Sequence, residues 1–382
     1  MTKTLGVGII GCGNISTTYL TLAPLFKGIE IRAVADLDMA AAQARATDYG
    51  VIAQSVAELL RNDDIQIVVN LTVPAAHFKV SRAILEAGKH VYTEKPLTLS
   101  LAEARQLQRI ATAKKLQVAG APDTFLGGSH QLARKAVDDG LVGKIAGGTA
   151  HIMSRGMEHW HPNPDFFFKP GGGPVLDMGP YYITSLVNLL GPVKRVAALT
   201  GMARRQRIIE SAPRKGEKIA VRTPTTVHAL LDFACVAMVT LSASWDVYAH
   251  RHPHMELYGS DGALFLPDPN FFGGEVLAAG PDGEAKPLPA WDHPFGVPNQ
   301  VHSGVALANY RAAGLADMAE GILKRRDIRC SIARMAHVVD IMVSILKSGE
   351  SRKFVTLATT CTRPKPLGPT EARALLRHPD KA

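Results

Sequence analysis

A lysine stands between an acid and a proline at Glu94-Lys95-Pro96, directly after the apolar run His90-Val-Tyr-Thr93. That places it where a short buried strand meets the surface. An ammonium held partly out of water there has a lowered pKa and donates strongly to an oxygen that gains negative charge. Taking a hydride from a secondary alcohol calls for such a group, because the hydroxyl proton must leave as the carbonyl forms. The competing use of Lys95 is a plain solvated surface charge.

A hydride needs an acceptor, and Gly6-Val-Gly-Ile-Ile-Gly11-Cys-Gly13-Asn14-Ile15-Ser16 offers a place for one. The stretch closes an apolar strand and opens a helix. Gly11 permits the tight turn and Gly13 lets the backbone approach a pyrophosphate. The N–H groups of Asn14 and Ile15 lie at the helix N-terminus with its positive dipole. Ser16 stands where glycine or alanine is usual. An ordinary strand-to-helix turn also accounts for the glycines, but a second strand follows and ends in Asp36, 23 residues beyond Gly13. A carboxylate there accepts both ribose hydroxyls of NAD and repels the 2′-phosphate of NADP. A cap on the next helix is the other use of Asp36.

Further along comes Asn70-Leu-Thr72-Val-Pro74-Ala-Ala-His77. A proline just past a strand stops pairing and starts a helix, and such a loop sits at the carboxyl edge of the sheet, where ligands bind. Thr72 and Pro74 are expected to touch the cofactor, and His77 either joins them or only starts the helix. Glu94, Lys95 and Pro96 reach the same edge one strand later. A polar and aromatic segment, 151–165, contains Arg155, His159, Trp160, His161 and Asn163. It suits a pyranose, whose apolar face stacks on an indole while its hydroxyls take imidazole, amide and guanidinium; a structural loop is the alternative. His250, His252 and His254 alternate, but Pro253 interrupts them and no metal site is expected.

The elements that must carry these residues follow from periodicity. From Thr4, short apolar runs alternate with amphipathic segments up to "LQVAGAP" at 116–122, the pattern of a parallel sheet covered on both faces. Beyond it, "TTVHALLDF", "VAMVTLSASW", "HMELYG" and "ALFLP" read as antiparallel strands separated by turns. Ile332, Met335, Val338, Val339 and Met342 then form one helical stripe. The expected architecture is α/β: a doubly wound dinucleotide-binding domain over 1–122 and a second α/β domain over 123–382, whose last helices return to the first domain. The chain has 382 residues, 46% hydrophobic and 20% charged, without an apolar run long enough for a bilayer or a signal-peptide pattern, which points to a cytoplasmic enzyme. Its four cysteines form no Cys-x-x-Cys pair. The net charge of +9 is dispersed, and the basic clusters at 203–207 and 324–326 are short and lack interleaved aromatics, so neither nucleic acid nor membrane is expected as a partner.

Taken in order, the glycine loop, the strand-end Asp36, the Thr72-x-Pro74 loop ending in His77 and Glu94-Lys95-Pro96 resemble the Gfo/Idh/MocA family. That family is named for glucose-fructose oxidoreductase and inositol dehydrogenase. Gly171-Gly-Gly-Pro-Val-Leu-Asp177-Met-Gly179-Pro-Tyr181 resembles its second signature. The resemblance implies a Rossmann domain plus a domain built on a large, open, mainly antiparallel sheet, with NAD(P) and a sugar or polyol meeting between them. It makes Lys95 the residue that hydrogen-bonds the reacting hydroxyl and Asp177 a substrate-binding carboxylate, with a helix cap as the rival use of Asp177. Tyr181 stands where most members have a catalytic histidine, which leaves the base open between Tyr181 and Lys95. The family's open sheets often pack together, so a homodimer or homotetramer is implied.

The expected function is an NAD-dependent oxidoreductase that removes a hydride from a secondary hydroxyl of a sugar, sugar acid or glycoside. One alternative is an NAD-requiring glycosidase that oxidises, eliminates, adds water and re-reduces; another is a non-enzymatic NAD sensor. Arg155, His159 and His161 beside Lys95 would favour an anionic sugar.

Overall fold

In a computed structural model of the chain, residues 4–289, 291–302 and 304–378 are described. Six strands, β1 (Leu5–Ile10), β2 (Ile29–Ala35), β3 (Ile52–Ala53), β4 (Ile67–Asn70), β5 (His90–Thr93) and β6 (Val118–Gly120), pair in parallel in the order 3-2-1-4-5-6. β1 and β4 are buried along their whole length, as continuous apolar strands between two helical layers must be. The order reverses between β1 and β4, so the loops after β1, β2, β4 and β5 open on one crevice. Helix starts are fixed by local side chains. Asp38 accepts from the Ala40 N–H at 2.9 Å, Ser55 and Glu58 form a reciprocal capping box, and Ser100 accepts from the Glu103 N–H at 3.3 Å. Because Asp38 caps the helix Met39–Tyr49, Asp36 does not.

The second sheet has nine strands, running in space from Ala285–Pro287 through Leu277–Ala279, Ala263–Leu266, Met255–Gly259, Ile145–Met153, Met238–Ser244, Thr226–Phe233 and Val193–Gly201 to Val355–Thr356. Every pair is antiparallel except Ile145–Met153 with Met238–Ser244. Helices Gly179–Leu190, buried throughout, and Ile332–Ser351 lie against this domain's core, and the second also packs on the helix Leu101–Lys114 of the first domain. The expected stripe is real: Met335, Val338, Val339 and Met342 are buried. The opposite face of the sheet leaves Leu199, Leu230 and Met238 exposed.

A C-terminal helix, Pro369–Leu375, docks beside β2: the Lys27 N–H donates to the Leu375 carbonyl at 2.7 Å and the Arg377 N–H to that of Leu25 at 2.8 Å. The loop ahead of the glycine signature is anchored from beneath. Phe167 and Phe168 pack on the fully buried Trp245, and Arg207 pairs with Glu158 and Asp246, each at 2.5 Å. Part of the basic cluster at 203–207 is therefore an internal brace.

Candidate active site

The crevice is built first by β1 and the turn after it. Gly11 has φ +108°, and a Cβ there would lie 2.6 Å from the Leu71 carbonyl carbon, so the fold itself requires glycine. At Gly13 a Cβ would meet nothing within 4 Å. The fold does not need that glycine, but a pyrophosphate lying on the backbone would. Ser16 is fully buried and donates to the Gly13 carbonyl at 2.6 Å, which is how the loop tolerates a hydroxyl at its third position. Asp36 accepts the Cys12 N–H at 2.7 Å through Oδ2 and the Asp38 N–H at 3.0 Å through Oδ1. Each oxygen keeps a second lone pair for a ribose hydroxyl, so the loop and carboxylate fit NAD.

The loops after β4 and β5 are bolted together by His77. Its Nδ1 lies 2.7 Å from the Pro96 carbonyl oxygen and its Nε2 2.9 Å from that of Thr72. It is 1% exposed, and burial pushes its pKa down against the pull of the two carbonyls. His77 therefore faces into the protein: it holds the cofactor loops in place, and the expectation of direct contact with NAD is corrected. Asn70, which sequence reading passed over, does similar work. It donates to the His77 carbonyl at 3.0 Å and accepts from the Thr72 hydroxyl at 2.7 Å. Thr72 and Pro74 are half-buried in the loop after β4.

Lys95 reaches across to the other domain. Its Nζ donates to the Asp177 carbonyl at 2.8 Å and to Asp177 Oδ1 at 2.9 Å, and it lies 5.2 Å from the centre of the Tyr181 ring. Two of three ammonium hydrogens are thereby used and one is left. The Lys95–Pro96 bond is cis. Burial alone would lower the lysine pKa, but the Asp177 charge, Tyr181 and the Asp177 hydrogen bond outweigh it and hold the pKa above its ordinary value. The lowered pKa expected from sequence is thus reversed, and Lys95 is an ammonium. Asp177 is a partner of this lysine and not a helix cap.

Behind this pair lies a buried polar cluster without a spacing signal in the sequence. Tyr19 donates to Glu94 Oε1 at 2.9 Å, and Glu94 Oε2 accepts the Lys95 N–H at 3.0 Å. Glu94 is therefore committed to the Rossmann core. Asp123 accepts the Gly314 N–H at 3.0 Å, and its burial pushes its pKa up to about 6 against the pull of that bond and of Arg311. Arg311, oriented by Asn270 and Asn309 through bonds of 2.9 and 3.0 Å, stands beside Tyr181, Asp123 and Glu94; burial lowers its pKa, but Tyr181 and the two carboxylates outweigh that and hold it above its ordinary value.

The segment ahead of the glycine signature is split. Burial keeps the His161 imidazole pKa low against the bond from the Asn163 N–H and the charge of Asp177, and its ring meets Trp160 edge-on at 5.3 Å. Trp160 is 55% exposed on the rim, with the half-buried His159 next to it. Arg155 turns away instead: its guanidinium is exposed and pairs with Glu210 at 3.3 Å. The expected cationic clamp on an anionic sugar is absent from the side chains that face Lys95, because a surface acid far along the chain claims the arginine. No group of three or more metal-ligating side chains occurs among the described residues.

A crevice that fits NAD, with Lys95 of the first domain reaching Asp177 and Tyr181 of the second, is the arrangement of a two-domain NAD-binding protein. The family described as oxidoreductases with an NAD-binding Rossmann fold matches residues 5–120, and the GFO/IDH/MocA C-terminal domain matches 130–265. The chain belongs to the Gfo/Idh/MocA family. An uncharacterised oxidoreductase of Schizosaccharomyces pombe is 31% identical over 178 residues, 43% of this chain and 47% of that protein. Inositol 2-dehydrogenase of Salmonella typhimurium is 31% identical over 150 residues, 37% of this chain and 44% of the relative. The matched region thus spans under half of these two curated relatives. The fold is also that of levoglucosan dehydrogenase solved with NADH and L-sorbose, with a TM-score of 0.79 at 21% identity over 93% of this chain and 99% of that one.

Proposed function

We propose that the chain is an NAD-dependent carbohydrate dehydrogenase acting on a secondary hydroxyl of a sugar, sugar acid or glycoside. The observation that carries this reading is the ammonium of Lys95, anchored twice to Asp177 beside Tyr181 with one hydrogen left over. The sugar-dehydrogenase relatives support the substrate class, as do Trp160 and His161 on the rim.

Gly11, Gly13 and the N–H groups of Asn14 and Ile15 would hold the pyrophosphate, and Asp36 the ribose; Thr72, Pro74 and Pro96 would line the rest of the cofactor's path. NAD supplies the hydride acceptor. Asp177 and the free hydrogen of Lys95 orient the reacting hydroxyl. An ammonium kept protonated by Asp177 stabilises developing alkoxide charge but cannot take its proton. That task falls to Tyr181, which lies beside two cations, the Lys95 ammonium 5.2 Å from its ring centre and Arg311. The open apolar face of the nine-stranded sheet supports a homodimer or homotetramer built through it.

The test is to incubate the protein with excess NAD and a panel of free sugars, sugar acids and glycosides and to follow NADH. Accumulating NADH with a secondary alcohol supports the dehydrogenase. Glycoside cleavage with catalytic NAD and no NADH would replace it with the redox-neutral glycosidase, and NAD binding without turnover of any substrate would leave a sensor.

A further inference from the structure

Away from this crevice, a pocket of about 490 Å³ lies along the outer edge of β6, lined by Arg326, Arg329, Arg334, Arg363 and Lys365, with Asp327 as the acid among its walls. Three of the arginines have carboxylate partners: Arg326 and Arg329 meet Asp317 at 2.8 and 2.6 Å, and Arg363 meets Asp138. Arg334 differs. It is 3% exposed, its Nη1 has no hydrogen-bond partner, and among the described residues no carboxylate forms an ion pair with it. The Phe125 ring covers one face of its guanidinium at 3.9 Å. Cys330 and Cys361 stand nearby as thiols that burial keeps neutral.

A guanidinium enclosed in protein without an ion-pair partner is unfavourable, and an anionic ligand in contact with it would offset that cost. Arginine forks match a tetrahedral oxyanion in two-pronged contacts, and several cations around one space favour a ligand carrying more than one negative charge. Bare phosphate leaves most of this volume empty, while a phosphorylated sugar-sized molecule occupies it. The basic run at 324–326 that the active site does not use ends at one of these walls.

We propose that this pocket is a second ligand site that binds a phosphate-bearing small molecule, with Arg334 gripping the phosphate from within and Lys365 closing over it at the exposed rim. The site is separate from the glycine loop, which follows β1; β4 and β5 stand between β1 and β6.

Calorimetric titration with glucose 6-phosphate and with inorganic phosphate tests it, with NAD kept saturating so that the glycine loop is occupied. Glucose and sodium chloride at matched ionic strength are the controls. One saturable site for the sugar phosphate is expected, weakened about tenfold or more by Arg334→Met, the cost of losing charge-assisted hydrogen bonds. Lys365→Ala, a change at an exposed side chain, should weaken it several-fold and keeps the test decisive if Arg334→Met does not fold. Saturation by inorganic phosphate alone would also support the site and assign its grip to the phosphate group. No saturable heat, equal heat from chloride, or affinity unchanged in the folded variants would overturn the proposal.

Discussion

At the scale of single residues, the proposed chemistry depends on a lysine that stays charged. Removing the carboxylate that holds it there should let burial dominate. Asp177→Asn is therefore expected to lower the lysine pKa and move the alkaline limb of the kcat/KM profile to lower pH, with kcat itself reduced; an unmoved limb would mean that Asp177 does not set the protonation of Lys95. Tyr181→Phe keeps the ring and deletes the hydroxyl. It should lower kcat by ~100-fold or more with little change in KM, read by steady-state kinetics, because positioned proton transfer contributes at least that much. Lys95, Asp177 and Tyr181 were legible in the sequence as members of ordered motifs. The direction of the lysine pKa was not, because it depends on a carboxylate 82 positions away. Arg311 and Asp123 gave no signal either: neither has neighbours in sequence that mark it, and chain folding alone brings them behind Tyr181. Arg155 misled for the converse reason, since Glu210 captures it at the surface.

Elements bring these residues together through short loops that hold one another. His77 is the bolt between the loops after β4 and β5, so His77→Leu strips the donor from one buried carbonyl and should cost about 1–3 kcal/mol in denaturant unfolding. The same change should raise the Kd for NAD measured by fluorescence titration, since Thr72 and Pro96 lose their shared anchor. Unchanged stability and affinity would show that the loops hold without it. The alternation of strands and helices in the first domain was plain from period and punctuation, because continuous apolar strands and capped helices are local signals. β3, two residues long, and the C-terminal helix Pro369–Leu375 left too little pattern to read. The parallel pairing of Ile145–Met153 with Met238–Ser244 is likewise decided by tertiary packing, since nothing in either strand specifies its neighbour's direction.

For the whole molecule, the nine-stranded sheet has one face covered by helices and one that displays Leu199, Leu230 and Met238, an apolar surface suited to a second copy of the chain. Leu230→Asp should shift the sedimentation profile toward monomer without loss of NAD binding, and an unaltered profile would remove the sheet from the interface. Among the described residues no helix is long and apolar enough to cross a membrane. In the proposed reaction the two domains act together: NAD is held by one, and a hydroxyl is gripped by a lysine that bridges to the other. Single-turnover NADH formation by Lys95→Met, with NAD affinity titrated in parallel, tests it most directly. The prediction is a loss of ~1,000-fold or more in the rate of hydride transfer with NAD affinity within a few-fold of the parent, since the lysine acts on the alcohol oxygen. A Lys95→Met protein that still reduced NAD at close to the parent rate would contradict the account.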